Sequence, residues 1–382
     1  MKIVVLGSGN IGSVVAQDIA ESLTSAEITI ADADKNRAQT TASRLNLENI
    51  GWIHVDAANH LELASKLKGF DVAVGALPGN LGFQACKAAI AAKVDLVDVS
   101  YMPQDVMLLN ESALKAGVSL IPDCGMSPGL CSMFVGRGIS RLDKTEMAHM
   151  LNGGLPEWPV PPLGYVITWS VKDLIDMYRR KVSIVKNGKV VQVEALTGLE
   201  ELDFPGIGKL EAFYTDGLRT LLQTVKVEDM WEKTLRYAGH AEKIKLLKDL
   251  GFLDHETVEV GGAKVDPSEV TARLFEKKLR KPEIPDIVVI LVKVTGLKGR
   301  KHVEYVYRVT DHQDVRHHIT SMARTTAYTT SIVTQLLAKK AVSETGVIPP
   351  EKLGMNKGVF ETLIHELKKR GVTVEETENV GD

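Results

Sequence analysis

The first chemistry in this sequence is at "VVLGSGNIGSVVA", where Gly7, Gly9 and Gly12 follow an apolar run and open a helical pattern. Glycine at these spacings permits a tight turn, close backbone approach to a pyrophosphate, and close helix–strand packing. The helix start then directs its N–H groups at negative phosphates. Asp32 stands 20 residues beyond Gly12, at the end of the next apolar run, where an acid can bind the adenosine ribose hydroxyls. The pattern predicts a dinucleotide site formed by Gly7, Ser8, Gly9, Asn10, Ile11, Gly12 and Asp32. A carboxylate there repels a 2′-phosphate, so NAD is expected over NADP, and Arg37 a turn further on softens that preference. Asp56 closes the third apolar run and either reaches the adenine or is a solvated strand-end residue. Ala76, Leu77 and Pro78 end the fourth, where the other half of the cofactor should lie.

A nicotinamide cofactor implies hydride transfer without saying to what. Ser100 and Tyr101 end the fifth apolar run, and "PDCGMSPG" presents Asp123, Cys124 and Ser127 after the sixth. These are either substrate contacts or ordinary loop residues. "YTDGLRT" sets Arg219 beside Thr220. On the residues alone this guanidinium either pairs with Asp216 or Glu211 at the surface or takes the carboxylate of a ligand. Arg236 and Tyr237, next to Thr234, read as packing residues, and His240 by itself reads as structural. In "DHQDVRHH" the adjacent His317 and His318 would diverge on a strand or a helix, so no metal is expected there. Cys124 and Cys131 fit no usual zinc spacing.

These residues need elements to hold them. Through residue 125, short apolar runs ("KIVVLG", "EITIAD", "WIHVD", "DVAVGAL", "VDLVDVS", "VSLIPD") alternate with helical periodicity. Continuous apolar strands joined by helical crossovers predict an α/β, Rossmann-type doubly wound parallel sheet over 1–125. The pattern then changes. "VSIVKNGKVVQVE" predicts a hairpin turned at Asn187-Gly188, and "IVVILVKVTGLKGRKHVEYVYRV" predicts a second. Residues 126–318 are therefore expected to form an α+β domain with an antiparallel sheet that binds substrate and joins subunits. The helices of 319–382 are expected to return to the first domain.

Charge and composition narrow the partners. Of 382 residues, 44% are hydrophobic and 25% charged, with a net charge of -3, which offers no general attraction to nucleic acid or an acidic membrane. The sequence has no apolar run of bilayer length and no leader-like start, and its three cysteines are an odd number in a long chain. A cytoplasmic location with reduced thiols is expected, without membrane or nucleic-acid partners. Edge strands of the second domain invite a homodimer or a higher homo-oligomer.

Five separated segments, "DVSYM", "AGVSLIPDCGMSPGL", "NGGLPEWPVPPLGYVITWS", "KTLRYAGH" and "SMARTTAY", together resemble the saccharopine dehydrogenase family across nearly the whole chain. "DFPGIGKLEAFYTDGLRTL" is most similar to its bacterial and archaeal lysine 6-dehydrogenase branch. The resemblance implies NAD-dependent oxidation of the ε-carbon of L-lysine. The products are ammonia, NADH and 2-aminoadipate 6-semialdehyde, which cyclises to 1-piperideine-6-carboxylate. It implies that Arg219 and Thr234 hold the amino-acid end of the substrate and that Met322 to Tyr328 lie beside the cofactor; Ser100, Ser127 and Thr220 are further candidate substrate contacts. The fungal reductases of the family carry Asp-Pro-Gly where this chain has Ser127-Pro128-Gly129, and glutamate where Asp123 stands. A saccharopine-type secondary-amine oxidoreductase and a non-catalytic NAD-binding regulator are the alternatives.

Hydride leaves an amine-bearing carbon only when the nitrogen lone pair is free, and the ε-amine of lysine has a pKa of about 10.4. Asp123 is expected to serve the proton transfer and to stabilise the iminium, with Tyr101 and His240 as alternatives.

Overall fold

The apolar runs of the first part form strands linked by helices, in a computed structural model that describes residues 1–381. In order they are β1 (Lys2–Leu6), α1 (Asn10–Ser22), β2 (Glu27–Asp32), α2 (Lys35–Leu45), β3 (Ile50–His54) and α3 (His60–Leu67). There follow β4 (Val72–Gly75), α4 (Gly79–Ala92), β5 (Asp95–Asp98), α5 (Asn110–Ala116), β6 (Ser119–Ile121) and α6 (Leu130–Ile139). Asp34 starts α2 by accepting from the N–H groups of Asn36 and Arg37, and Asn59 does the same for α3 through Glu62. No side chain caps α1.

The second region contains β7 (Lys144–Pro156), α7 (Val171–Arg179), β8 (Lys181–Lys186), β9 (Lys189–Glu194), β10 (Glu200–Phe204) and β11 (Gly208–Tyr214). It continues with α8 (Leu221–Thr224), β12 (Asp229–Tyr237), α9 (His240–Asp249), β13 (Val258–Val260), β14 (Ala263–Val265) and α10 (Pro267–Leu279). The long hairpin β15 (Asp286–Lys298) and β16 (Lys301–His312) leads to α11 (Ser321–Ala338), β17 (Gly346–Val347), α12 (Pro350–Met355), α13 (Lys357–Lys369) and β18 (Glu375–Val380).

Two compact units result. The first comprises Met1–Ser140 with Ala323–Thr373, and the second comprises Arg141–Met322 with the segment from Val374 onward. In the first unit, seven parallel strands run in the order β17-β6-β5-β4-β1-β2-β3. Strand order reverses between β1 and β4, the position where such sheets bind ligands. Leu6, Ala73, Ala85, Leu96 and Leu120 lie in its core.

The second unit's larger sheet runs β10-β11-β12-β7-β15-β16-β18, with β8 and β9 branching from β12. It is mixed where an antiparallel sheet was expected, because β12 and β7 run parallel. The two expected hairpins form, and Asn187 and Gly188 turn the first with φ of 51° and 71°.

The unit boundaries differ from the expected 125 and 318. Helix α6 stays with the first unit because it meets α12 at two glycines. A Cβ on Gly136 would lie 2.0 Å from the Glu351 carbonyl oxygen, and one on Gly354 would lie 2.0 Å from that of Met133. Only part of the expected C-terminal segment returns. Strand β18 pairs with β16 in the second unit, and Arg141 grips it through Glu376 and Glu378. Among the described residues, no helix is long and apolar enough to cross a membrane.

Candidate active site

The first unit carries a dinucleotide cradle in which each glycine has a different job. Gly7 has a φ of +101°, and a Cβ there would lie 2.3 Å from the Ala76 carbonyl oxygen. A Cβ on Gly12 would lie 1.9 Å from the Gly7 carbonyl oxygen, so this glycine lets α1 close onto the turn. Nothing lies within 4 Å of a Cβ built on Gly9, at the uncapped start of α1. An open glycine before a helix N-terminus whose first turn has no acid fits a pyrophosphate.

Ser8 turns inward: its N–H and hydroxyl both donate to Asp32 Oδ2, at 2.8 and 2.7 Å. Asp32 Oδ1 accepts from the Asp34 N–H at 2.9 Å and from Arg37 Nη2 at 3.1 Å. Burial pushes the Asp32 carboxyl up, but these donors outweigh it and hold it below the ordinary value. Asn10 is exposed and Ile11 is half-buried. Asp56 is also exposed and accepts from the Ala58 N–H at 2.9 Å, closing a local turn. Leu77 and Pro78 lead from β4 into α4.

Behind the ends of β5 and β6 lies a second acidic group that the sequence did not single out. Asp98 is fully buried; its Oδ1 accepts from the N–H of Ser100 at 2.9 Å and from the Ser100 hydroxyl. Its Oδ2 is buried with no hydrogen-bond partner among the described residues. Burial first, and the nearby Asp123 charge as well, push Asp98 up to about 7 against the Ser100 bonds. A Cβ on Gly75 would lie 2.0 Å from Asp98 Oδ2, and one on Gly82 would lie 1.9 Å from Ser100 Oγ.

Asp123 is buried with a φ of +51°, a conformation L-residues rarely adopt. Its loop is held by the Cys124 N–H on the Asp98 carbonyl at 2.8 Å and by the Thr330 hydroxyl on the Cys124 carbonyl at 2.8 Å. Ser127 Oγ is buried and has no partner among the described residues, and Tyr101 is half-buried. The structure thus brings Ser100, Asp98 and Asp123 into one polar group.

The second unit holds the other candidates. Arg219 has a φ of +50°, and its side chain is only 10% exposed; Nη1 lies 3.8 Å from Asp216 Oδ2. Of the two partners the residues suggested, Glu211 is engaged elsewhere: it accepts from the N–H groups of Gly239 at 2.8 Å and Ala241 at 2.5 Å, at the start of α9. Gly217 is needed for close approach, since a Cβ there would lie 2.7 Å from Glu232 Cδ. Thr234 faces Asn152 of β7 in register, and its hydroxyl lies 2.7 Å from that of Thr215. Thr220 is buried at the start of α8.

His240 is a correction. Its Nδ1 faces the Leu163 carbonyl at 2.9 Å, and its Nε2 faces the Tyr178 hydroxyl at 2.8 Å. Burial and the neighbouring Arg236 pull its pKa down to about 3, so it is a neutral core residue rather than a proton carrier. Met322 ends this stretch of the second unit, and Ala323 resumes the first. The Met322 N–H donates to Asp286 at 3.0 Å, and a Cβ on Gly154 would lie 2.4 Å from Met322 Cε. The histidine cluster disperses, with His317 on Asp314 at 2.8 Å and His312 on Glu157 at 2.7 Å. Among the described residues, no three metal-ligating side chains converge.

Strand order, glycine turn and Asp32 define a dinucleotide-binding protein with an appended mixed-sheet unit. Residues 3–121 match the saccharopine dehydrogenase NADP binding domain, and residues 125–372 match the saccharopine dehydrogenase C-terminal domain. The chain belongs to the saccharopine dehydrogenase family.

The chain is 27% identical over 273 residues to the Saccharomyces cerevisiae saccharopine dehydrogenase [NADP(+), L-glutamate-forming], a match covering 68% of this chain and 60% of that one. It is 25% identical over 268 residues to the Pyricularia oryzae enzyme of the same name, covering 66% and 58%. With the Bos taurus mitochondrial alpha-aminoadipic semialdehyde synthase it shares 27% identity over 271 residues, 67% of this chain and 29% of the relative. The matches therefore span less than two thirds of these relatives' lengths. The solved apo saccharopine dehydrogenase (L-Glu forming) from Saccharomyces cerevisiae has the same fold, with a TM-score of 0.79 over 99% of both chains at 20% identity.

Proposed function

We propose that the chain is an NAD-dependent amine dehydrogenase that oxidises the ε-carbon of L-lysine to 2-aminoadipate 6-semialdehyde with release of ammonia. The observation that carries this reading is the pair of buried carboxyl side chains, Asp98 and Asp123, at the strand ends of a dinucleotide-binding sheet. Gly9, the N-terminus of α1 and Asp32 would hold the cofactor, which when bound accepts the hydride. An ionised Asp32 whose Arg37 is already paired favours a free ribose hydroxyl over a 2′-phosphate, hence NAD.

Asp123 takes the proton from the ε-ammonium, which frees the lone pair that becomes the C=N bond as the C–H bond breaks. That proton passes on to solvent, and the carboxylate, charged again, faces the iminium. Water adds to that carbon, and ammonia leaves to give the aldehyde. Asp98, raised by burial to about 7, fixes Ser100 while carrying only part of a negative charge beside Asp123 near neutral pH. Arg219 takes the α-carboxylate.

The named relatives support a second reading, oxidation of saccharopine at its secondary amine. That substrate carries an added glutarate portion with two more carboxylates, which calls for further cationic residues. The test follows NADH absorbance with lysine, saccharopine and ornithine and measures ammonia. Lysine-dependent NADH with equal ammonia is expected. Saccharopine oxidation without lysine activity overturns the reading, and NAD binding with no amine turned over would make the chain a regulator.

A further inference from the structure

A short chain of hydroxyls runs from a buried carboxyl to Thr234 in the second unit. Glu232 lies on β12, between β11 and β7, and each of its oxygens has a donor. Asn152 Nδ2 is 2.7 Å from Oε1, and the Thr215 hydroxyl is 2.6 Å from Oε2. The Thr215 hydroxyl is in turn 2.7 Å from that of Thr234. The Asp216–Arg219 loop packs on the same carboxyl through Gly217.

A hydroxyl has one proton to give. With Glu232 ionised, Thr215 donates to the carboxylate, so Thr234 must donate to Thr215 and can offer only lone pairs beyond. With Glu232 protonated, its O–H donates to Thr215, the order reverses, and the Thr234 proton is freed for another acceptor.

We propose that Glu232 determines specificity by setting the hydrogen-bonding polarity of Thr234: an acceptor for a substrate α-ammonium when Glu232 is ionised, a donor when it is protonated. The inference rests on the reading that Arg219 and Thr234 hold the amino-acid end of lysine. The charged groups facing Glu232 are Asp216 in the loop, itself beside Arg219, and Arg236 further along β12. Burial first, then Asp216, push the carboxyl up; Thr215, Asn152 and Arg236 oppose them, and it stands at about 7. The reversal therefore falls near neutral pH.

The test compares KM for L-lysine with the inhibition constant of 6-aminohexanoate, which keeps the carboxylate and ε-amine but lacks the α-ammonium. Taking their ratio cancels titration of the ε-amine. In the parent, preference for lysine is expected to rise about tenfold between about pH 6 and about pH 8.5, the worth of one charge-assisted hydrogen bond. Glu232→Gln presents an amide donor to Thr215 at every pH, so its ratio is expected to be low and flat, with the change in KM rather than kcat. Thr215→Val interrupts the relay and is expected to flatten the ratio as well, while Thr215→Ser restores the slope. These two keep the test open if Glu232→Gln fails to fold. A Glu232→Gln or Thr215→Val enzyme with the parent's slope overturns the proposal. Cadaverine, which has no carboxylate, separates the failures. If it is turned over as well as lysine, the amino-acid-end reading falls and the proposal with it; if it is rejected while the slope persists in the variants, only the proposal falls.

Discussion

Asp32 and Asp98 each end a parallel strand of the same sheet, yet they are driven in opposite directions. Both are buried, and burial pushes both carboxyls up. The difference lies in the depth of burial, which is complete for Asp98, in the Asp123 charge beside it, and in the donors. Asp32 receives four hydrogen bonds shared between its oxygens, one of them from a guanidinium. Asp98 receives two, both from Ser100 to one oxygen, while the other oxygen has no partner among the described residues. A strand-end position therefore specifies where a carboxyl sits, while its depth of burial, its charged neighbours and the donors of the turn after it specify its charge. One unit thus holds an anion suited to fixed hydroxyl recognition and a carboxyl able to change its protonation near neutrality.

The largest way to break this contrast acts on Asp123, whose charge adds to the burial that raises Asp98. Asp123→Asn is expected to lower lysine turnover by about 10²- to 10⁴-fold, the usual worth of a positioned proton acceptor, read from NADH formation across pH. Retention of turnover within a few-fold at every pH would remove Asp123 from the mechanism. Next comes Asp32→Ala, which is expected to shift the NAD to NADP preference in kcat/KM by about 10- to 100-fold toward NADP, since it removes the acceptor for the ribose and unpairs Arg37. An unchanged preference would mean that Asp32 serves only the turn.

Gly75→Ala tests the packing on the Asp98 side. The new methyl would meet Asp98 Oδ2, so a loss of about 1–3 kcal/mol is expected in denaturant unfolding. The loss should shrink in an Asp98→Ala background; if it does not, the contact is not the cause. The smallest effect concerns ionisation itself. Well below about pH 4, Asp98 is protonated in the folded and the unfolded chain alike. As pH rises the unfolded chain ionises first, so the stability lent by the neutral Asp98 is lost as pH climbs toward about 7. The melting temperature of Asp98→Asn minus that of the parent should therefore rise between about pH 4 and about pH 8. A flat difference would show that Asp98 has no raised pKa in the folded protein.

The glycine turn and Asp32 were legible because the spacings that mark them lie within one β–α–β unit; the packing of Gly7 against Ala76, beyond β4, was not. Asp98 was passed over although it ends "VDLVD", since its strand looked like any apolar run and its burial depends on β4 and β6 alongside. Glu232 was hidden in the same way. Its only signal is the alternation of Glu232, Thr234 and Arg236 on one face of an interior strand. For Arg219, nothing in "YTDGLRT" marks Arg219 itself as the left-handed residue, or shows that Gly217 is small because Glu232 lies against it. His240 misled for the converse reason, since a titratable type near a glycine carries no mark of how deeply it will be buried.

The chain passes between its two units at Ser140/Arg141, Met322/Ala323 and Thr373/Val374. This has a consequence for biogenesis. A ribosome that has made β1 to β6 has not yet made β17, which closes one edge of their sheet, nor α12, which α6 meets glycine to backbone. The second sheet likewise waits for β18 to cover β16. Neither unit can be completed in the order of synthesis, so an unpaired edge persists on each nascent sheet until its late strand is made.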